Sequence, residues 1–451
     1  MTRDKTAFYS TNLSAPEVNF ETALLTGLAP DKGLYMPKTI PRLSKEDIES
    51  MKHLEYAQIA ALVAKKILRC EIDEKTLENI TQDAYNFNIP IEKITANDYI
   101  MRLDQGPTAS FKDFAAGMMA RIMQHFIKKQ NKKITILTAT SGDTGSAVAH
   151  AFYSLKNIKV IILYPKDEVS QRQRKQMTTL GKNITSIAVD GKFDDCQAMV
   201  KQAFSDPELK NINLTSANSI NIGRLIPQTI YYFYAYSRIA DSEEIVFSVP
   251  SGNFGNLMGG LLAKNMGLPV RRFIAAVNEN DEFPGFLETG DYEKIAPSRN
   301  CLSNAMNVGH PSNLARLVAL YGGRMDETGK IRRMPDMEKI RKDIYTISVT
   351  DKETKDAIKS TYEKHRILIE PHGAVSWYAL ERYRKETKDK TPAVSLETAH
   401  PAKFPSEIIN LTGIEPELPE SLKSLDKKEE QKENISADYK ELKNFLKKIP
   451  L

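Results

Sequence analysis

An α/β fold carried by parallel sheets and preceded by a small helical domain is the architecture this sequence predicts. Three observations point to it. From about residue 134 onward, short apolar runs alternate with helix-period segments. Two of those runs end in glycine-rich loops that open helices. Residues 20–87 instead space their apolar side chains at helical intervals.

In the N-terminal part, Phe20-Glu21-Thr22-Ala23-Leu24-Leu25 and Tyr56-Ala57-Gln58-Ile59-Ala60-Ala61-Leu62-Val63 read as helices, and Gly33-Leu34-Tyr35-Met36-Pro37 as the loop interrupting them. Residues 1–92 are therefore expected to form a helical cap domain. An α/β region of two subdomains is expected over 93–412, followed by a charged helical tail over 413–451.

The strand candidates follow in order. Ile134-Thr135-Ile136-Leu137-Thr138 precedes a glycine loop and the helix begun by Ser146-Ala147-Val148-Ala149. Lys159-Val160-Ile161-Ile162-Leu163-Tyr164, 184–189, 245–249 and Phe273-Ile274-Ala275-Ala276-Val277 repeat the theme. Runs this apolar suit strands covered on both faces, which is the setting of parallel sheets. Tyr345-Thr346-Ile347-Ser348-Val349 leads into Thr350-Asp351-Lys352-Glu353, a capping box that starts a helix through about Lys364. The aromatic run Tyr231-Tyr232-Phe233-Tyr234 reads as core packing. In the tail, Leu442, Phe445 and Leu446 share one helix face, which predicts a solvated helix docking lightly.

Composition excludes several function classes. A net charge of +5 over 451 residues, without an Arg-rich cluster interleaved with aromatics, predicts no nucleic-acid groove. The three cysteines, Cys70, Cys196 and Cys301, are far apart and odd in number, which fits a reducing compartment and no CxxC-type metal or redox site. No signal-like apolar segment opens the chain, and the uncharged run 225–237 is too short to span a bilayer. A cytoplasmic enzyme acting on a small molecule, with no metal and no membrane partner, is the expectation.

Three segments carry chemistry. Gly106-Pro107-Thr108-Ala109-Ser110-Phe111-Lys112-Asp113-Phe114 holds one lysine at a helix edge among apolar neighbours. Packing against Phe111, Phe114 and Ala115 would strip its hydration and favour the neutral amine that imine chemistry needs. Ser141-Gly142-Asp143-Thr144-Gly145 and Ser251-Gly252-Asn253-Phe254-Gly255-Asn256 each join a strand to a helix. Convergent backbone N–H groups and the helix dipole make each a candidate anion site. Neither matches GxGxxG or GxxxxGK[ST], so a dinucleotide or ATP is not expected.

The ordered set Phe111-Lys112-Asp113, Thr140 to Gly145, Asn218-Ser219-Ile220-Asn221, Pro250 to Asn256 and Thr398-Ala399-His400-Pro401-Ala402-Lys403-Phe404 closely resembles the threonine synthase family. These are fold-type II pyridoxal-phosphate enzymes related to the tryptophan synthase β subunit, and the resemblance runs from about Gly27 to Phe404. It implies that Lys112 is the catalytic lysine that holds pyridoxal 5'-phosphate as a Schiff base. It implies that Gly252, Asn253, Phe254, Gly255 and Asn256 hold the cofactor phosphate and that Thr398 faces the pyridine nitrogen. Ser141, Gly142 and Thr144 would receive the substrate carboxylate, with Ser141 and Asp143 also against the cofactor. Asn218, Ser219, Asn221 and Arg224 would contact the substrate, Arg224 at its phosphate.

The chain departs from the family pattern at Ser10-Thr11-Asn12-Leu13, where Ser-Thr-Arg-Gly is usual, and at Gln105-Gly106-Pro107-Thr108, where His-Gly-Pro-Thr is common. His372 is expected to be structural, and the roles of His400 and Lys403 stay open. The implied activity is that of a carbon–oxygen lyase converting O-phospho-L-homoserine and water to L-threonine and phosphate, as a monomer or homodimer. A phospho-lyase releasing 2-oxobutyrate from the same substrate and a non-catalytic binding protein on the same scaffold are the rival readings. A serine or threonine dehydratase is disfavoured by the N-terminal helical segment.

Overall fold

The structure is a computed structural model and describes residues 6–68, 71–140 and 142–448. Among them, two larger sheets carry the architecture. One runs in the order Ile344–Ser348, Val270–Val277, Ile245–Pro250, Ala393–Glu397, Asp98–Arg102, Ile91–Lys93. It is parallel except at its last strand, which pairs antiparallel with Asp98–Arg102. The other is parallel throughout, in the order Glu433–Ser436, Ile184–Asp190, Ile158–Pro165, Ile134–Ala139, Leu214–Thr215. Strands Ile134–Ala139 and Ile245–Pro250 are buried at every residue, which is why each shows in sequence as an uncharged, mostly apolar run.

Each of these two strands feeds a helix through a glycine loop. Asp143–Phe152 follows the first and Gly255–Asn265 the second. Ligands in open α/β sheets bind beyond the carboxyl ends of strands, and the two loops lie at those ends. A third helix, Lys112–Gln130, begins at the singled-out lysine and is buried along most of its length. The Thr350–Glu353 capping box forms as the sequence predicts and opens the helix Asp351–His365.

The N-terminal helices Tyr56–Leu68 and Glu74–Ala84 pack on this frame through aromatic side chains. Tyr56, Tyr85 and Phe114 meet with ring centroids 4.8 to 6.0 Å apart, and Phe114 also meets Tyr231 at 5.7 Å. The 231–234 run is core, as expected. Two details differ from expectation. Tyr35–Pro37, expected as loop, is a strand paired with Phe8–Ser10, too short for its periodicity to show. The tail docks firmly: Leu442 and Leu446 are fully buried beside Cys196, Met199 and Val200, and Glu433–Ser436 extends the second sheet. No helix of the described residues is long and apolar enough to cross a membrane.

Candidate active site

The segment before Lys112 is held tightly. Thr108 donates through its backbone N and Oγ1 to Asp113 at 2.8 and 2.5 Å, and Ala109 takes a positive φ of 54°. Segment 398–400 lies antiparallel against it: Phe111 N donates to Thr398 O at 2.9 Å and His400 N to Ala109 O at 3.1 Å. Two stretches far apart in sequence therefore present Lys112 and Thr398 to one space. That space is a cavity of about 650 Å³ walled by both glycine-loop regions, the 216–220 loop and Thr398.

Lys112 lies at this wall with its amine 3.8 Å from Asp143 Oδ2 and 5.3 Å from the Phe111 ring centroid. Burial lowers its pKa; Asp143 opposes that shift, while Lys403 and Arg224 add to it. Phe114 packs its ring in the aromatic cluster with Tyr56, Tyr85 and Tyr231. Burial is the largest influence on the amine, and the charged groups around it adjust that shift.

Arg224 is 3 % exposed, and among the described residues no carboxylate is bonded to it. Its Nη1 donates to Ala217 O at 2.7 Å, its Nε has no partner, and burial lowers its pKa to about 10. A buried guanidinium with a free donor on a cavity wall is built to meet an anion. Phe254, also on the cavity wall, stands at a φ of 60° and opens the helix Gly255–Asn265. The N–H groups of a helix's first turn have no intrahelical acceptor. A Cβ on Gly252 would stand 2.8 Å from Met306 Cα and 3.0 Å from Ala305 O. Asn256 Oδ1 accepts from Tyr231 and Tyr232 at 2.6 and 2.7 Å, while its buried Nδ2 has no partner. The loop thus offers donors to a second anion, and the aromatic run of the core helps aim them.

Of the residues expected at the site, Lys112, Asp143, Thr144, Asn218, Ser219, Arg224, Gly252, Asn253, Phe254, Gly255, Asn256 and Thr398 line the cavity. Ser141 lies outside the described residues. Gly142 is not on the wall; it holds a φ of 139° against the side chain of Gln173. Asn221 is not on the wall either. It caps Ile222–Leu225 by accepting from Gly223 N, and its Nδ2 donates to Leu24 O and Ser216 O, each at 2.8 Å. Its work is to shape the loop that carries Asn218 and Ser219.

Sequence reasoning missed Arg316, expected His372 to be structural and left the role of Lys403 open. His372 reaches the cavity wall in one fixed tautomer, its Nε2 accepting from Ala305 N at 3.0 Å and its Nδ1 bonded to Glu370 Oε2. Glu370 Oε1 also stands 3.5 Å from Thr398 Oγ1. Arg316, fully buried, donates to Tyr35 O, Ser219 O, Ile220 O and Asn313 Oδ1, binding the N-terminal hairpin to the 218–221 loop. Their mutual contacts depend on tertiary pairing, which no local sequence pattern records. Lys403 is bonded to Asp143 at 2.6 Å.

Comparison with known proteins identifies the family. Three family models cover the chain in turn: threonine synthase N terminus over residues 7–85, pyridoxal-phosphate dependent enzyme over 88–398, and threonine synthase C-terminal over 373–446. The threonine synthase of Haemophilus influenzae is 40% identical over 97% of this chain and 99% of its own. The chain belongs to the threonine synthase family. The crystal structure of PLP-bound threonine synthase from Brucella melitensis superposes with a TM-score of 0.91 at 34% identity, covering 98% of both chains. That of threonine synthase from Escherichia coli does so with 0.88 at 38% identity, covering 98% and 99%. The family places this chain among the pyridoxal-phosphate-dependent lyases of fold type II. The donor set of the cavity fits that cofactor: one amine for its aldehyde, a helix-opening loop with free N–H groups for its phosphate, and a hydroxyl at Thr398.

Proposed function

We propose that the chain converts O-phospho-L-homoserine and water to L-threonine and inorganic phosphate, using Lys112 as its acid–base group. The observation that carries this reading is the convergence of a desolvated amine, an unpaired buried guanidinium and a helix-opening glycine loop on one cavity. The reaction removes one phosphate at Cγ of the substrate and adds one hydroxyl at Cβ, so two anionic groups, carboxylate and phosphate, have to be held apart.

The N–H groups of 252–256 and Asn256 Nδ2 would take the cofactor phosphate. Pyridoxal phosphate, when bound, supplies the aldehyde and the ring that together stabilise negative charge at the substrate Cα. Thr398 would meet the ring nitrogen with a hydroxyl in place of a carboxylate. Thr144 and the start of the helix Asp143–Phe152 would receive the substrate carboxylate. Arg224, with Asn218 and Ser219 beside it, would grip the substrate phosphate through charge-assisted hydrogen bonds and fix its orientation. Lys112 Nζ would take the proton from Cα and return one there at the end. An amine held below its ordinary pKa is suited to this exchange near neutrality.

The cytoplasmic setting belongs to the same reading, since the described cysteines Cys196 and Cys301 are buried and unpaired. Incubation of the cofactor-loaded protein with O-phospho-L-homoserine tests the proposal. Phosphate and threonine should appear in equal amounts. Phosphate accompanied by 2-oxobutyrate and ammonia, without threonine, would overturn it.

A further inference from the structure

Asp143 is one carboxylate shared by two lysines, and the sharing is unequal. Its Oδ1 accepts from Lys403 Nζ at 2.6 Å and from Gln173 Nε2 at 2.8 Å. Its Oδ2 faces Lys112 Nζ at 3.8 Å, an ion-pair distance without a hydrogen bond. Coulomb attraction already favours the shorter pair, and the hydrogen bond adds to it.

Lys403 cannot leave. Its side chain is fully buried, and its Nζ also donates to Thr108 O at 2.8 Å. It sits in the turn Pro401–Lys403, which His400 caps by accepting from Ala402 N at 3.1 Å. His400 itself brings no charge near neutrality, because burial lowers its pKa to about 4. The charged groups that act on Lys112 are Asp143, Lys403, Arg224 and Glu370. A buried carboxylate facing a single amine would hold it as the ammonium, and a lysine so held is no base. A carboxylate already bonded to another cation keeps its direction but loses most of that pull.

We propose that Lys403 is a positioning residue for the reaction, holding Asp143 so that the carboxylate orients Lys112 without trapping its proton. This rests on the reading above that Lys112 is the reacting amine. It assigns a purpose to a charged residue fully buried beside the lysine, where a neutral side chain would have spared the cost of burying a charge.

The test reads the amine directly. The full chain, freed of cofactor, is acetylated with trace acetic anhydride across a pH series, and the extent of Lys112 modification is measured by peptide mass spectrometry. Lys403→Met should move the midpoint of Lys112 reactivity upward by about one pH unit, a roughly tenfold loss of free amine at neutral pH. The double variant Asp143→Asn/Lys403→Met removes both charges and should bring the midpoint back to the parent value or below. Lys403→Arg keeps the cation and should leave the midpoint near the parent's. Should Lys403→Met fail to fold, Lys403→Gln and Lys403→Arg pose the same question, the first raising the midpoint and the second not. An unmoved midpoint in the Met or Gln variant, or no return in the double variant, overturns the proposal. Because labelling does not depend on turnover, a chain inactive on O-phospho-L-homoserine but showing these shifts would refute the assigned reaction and leave this inference standing.

Discussion

Asn253 Nδ2 donates to Ser219 Oγ at 2.6 Å, which fastens the loop opening the helix Gly255–Asn265 to the loop carrying Asn218. Asn253 Oδ1 accepts from Ser312 N and its backbone O from Asn313 Nδ2, so one residue ties three segments around the cavity. The group proposed to hold cofactor phosphate and the group proposed to hold substrate are thus mechanically joined.

Ser219→Ala breaks that joint without adding bulk. One neutral hydrogen bond contributes about 1 kcal/mol, so cofactor affinity should fall roughly fivefold. Equilibrium titration with pyridoxal phosphate, followed by its visible absorbance, measures this. Unchanged affinity would mean that the loop holds its shape without Ser219.

Arg224→Lys keeps the charge but loses the planar fork. Charge-assisted hydrogen bonds contribute about 1.5–3 kcal/mol, which predicts a KM for O-phospho-L-homoserine raised roughly 10- to 150-fold. The kcat should fall less than KM rises, since Arg224 is assigned to binding. Steady-state phosphate release separates the two constants. A loss confined to kcat would move Arg224 from binding to chemistry.

The strands were legible because burial on both faces leaves uncharged, mostly apolar runs such as 134–139 and 245–250. The helix at Lys112 and the glycine loops were legible because their chemistry is local. Glu433–Ser436 was not: it is an edge strand with three of its four residues exposed, so no apolar run marks it. The tail helix showed its apolar face, but only the partners Cys196, Met199 and Val200 determine how deeply that face is buried. The Lys403–Asp143 pair was invisible because it depends on segment 398–400 lying against 109–111. Charge placement around the amine is a tertiary property, and local sequence records only its parts.

Gly252→Ala tests the cradle. A Cβ there meets backbone atoms of Met306 and Ala305 rather than a flexible side-chain tip, so neither neighbour yields cheaply. Overpacking of this kind costs about 1–3 kcal/mol. The expected outcome is weakened cofactor binding, with a melting temperature of the cofactor-free chain lowered by a few degrees. Calorimetry with and without pyridoxal phosphate reads both. A variant that binds as the parent does would show that the loop can shift away from 305–306.

Leu446→Ala tests the tail. Leu446 is fully buried in the cluster with Met199, Val200 and Leu442, and a buried Leu-to-Ala change costs about 2–5 kcal/mol. Chemical denaturation should show that loss while KM stays near the parent value, because the cavity wall includes none of the tail. A KM that rose with the destabilisation would connect the tail to the site through the helix Phe193–Ser205.

Glu282 gives the chain a pH-dependent weakness away from the reacting groups. It is 7 % exposed, its Oε2 has no partner, and burial raises its pKa from 4.5 to about 8. The native state therefore keeps a proton that the unfolded chain releases above pH 4.5, so the stability this group contributes is complete below that value. It declines as the pH rises toward 8 and changes little beyond. Glu282→Gln keeps the shape and cannot ionise. Its melting temperature should match the parent's at the acid end of that window and exceed it by several degrees at the alkaline end. Melting curves at a series of pH values decide the matter, and two parallel profiles would show that Glu282 is hydrated or paired in solution.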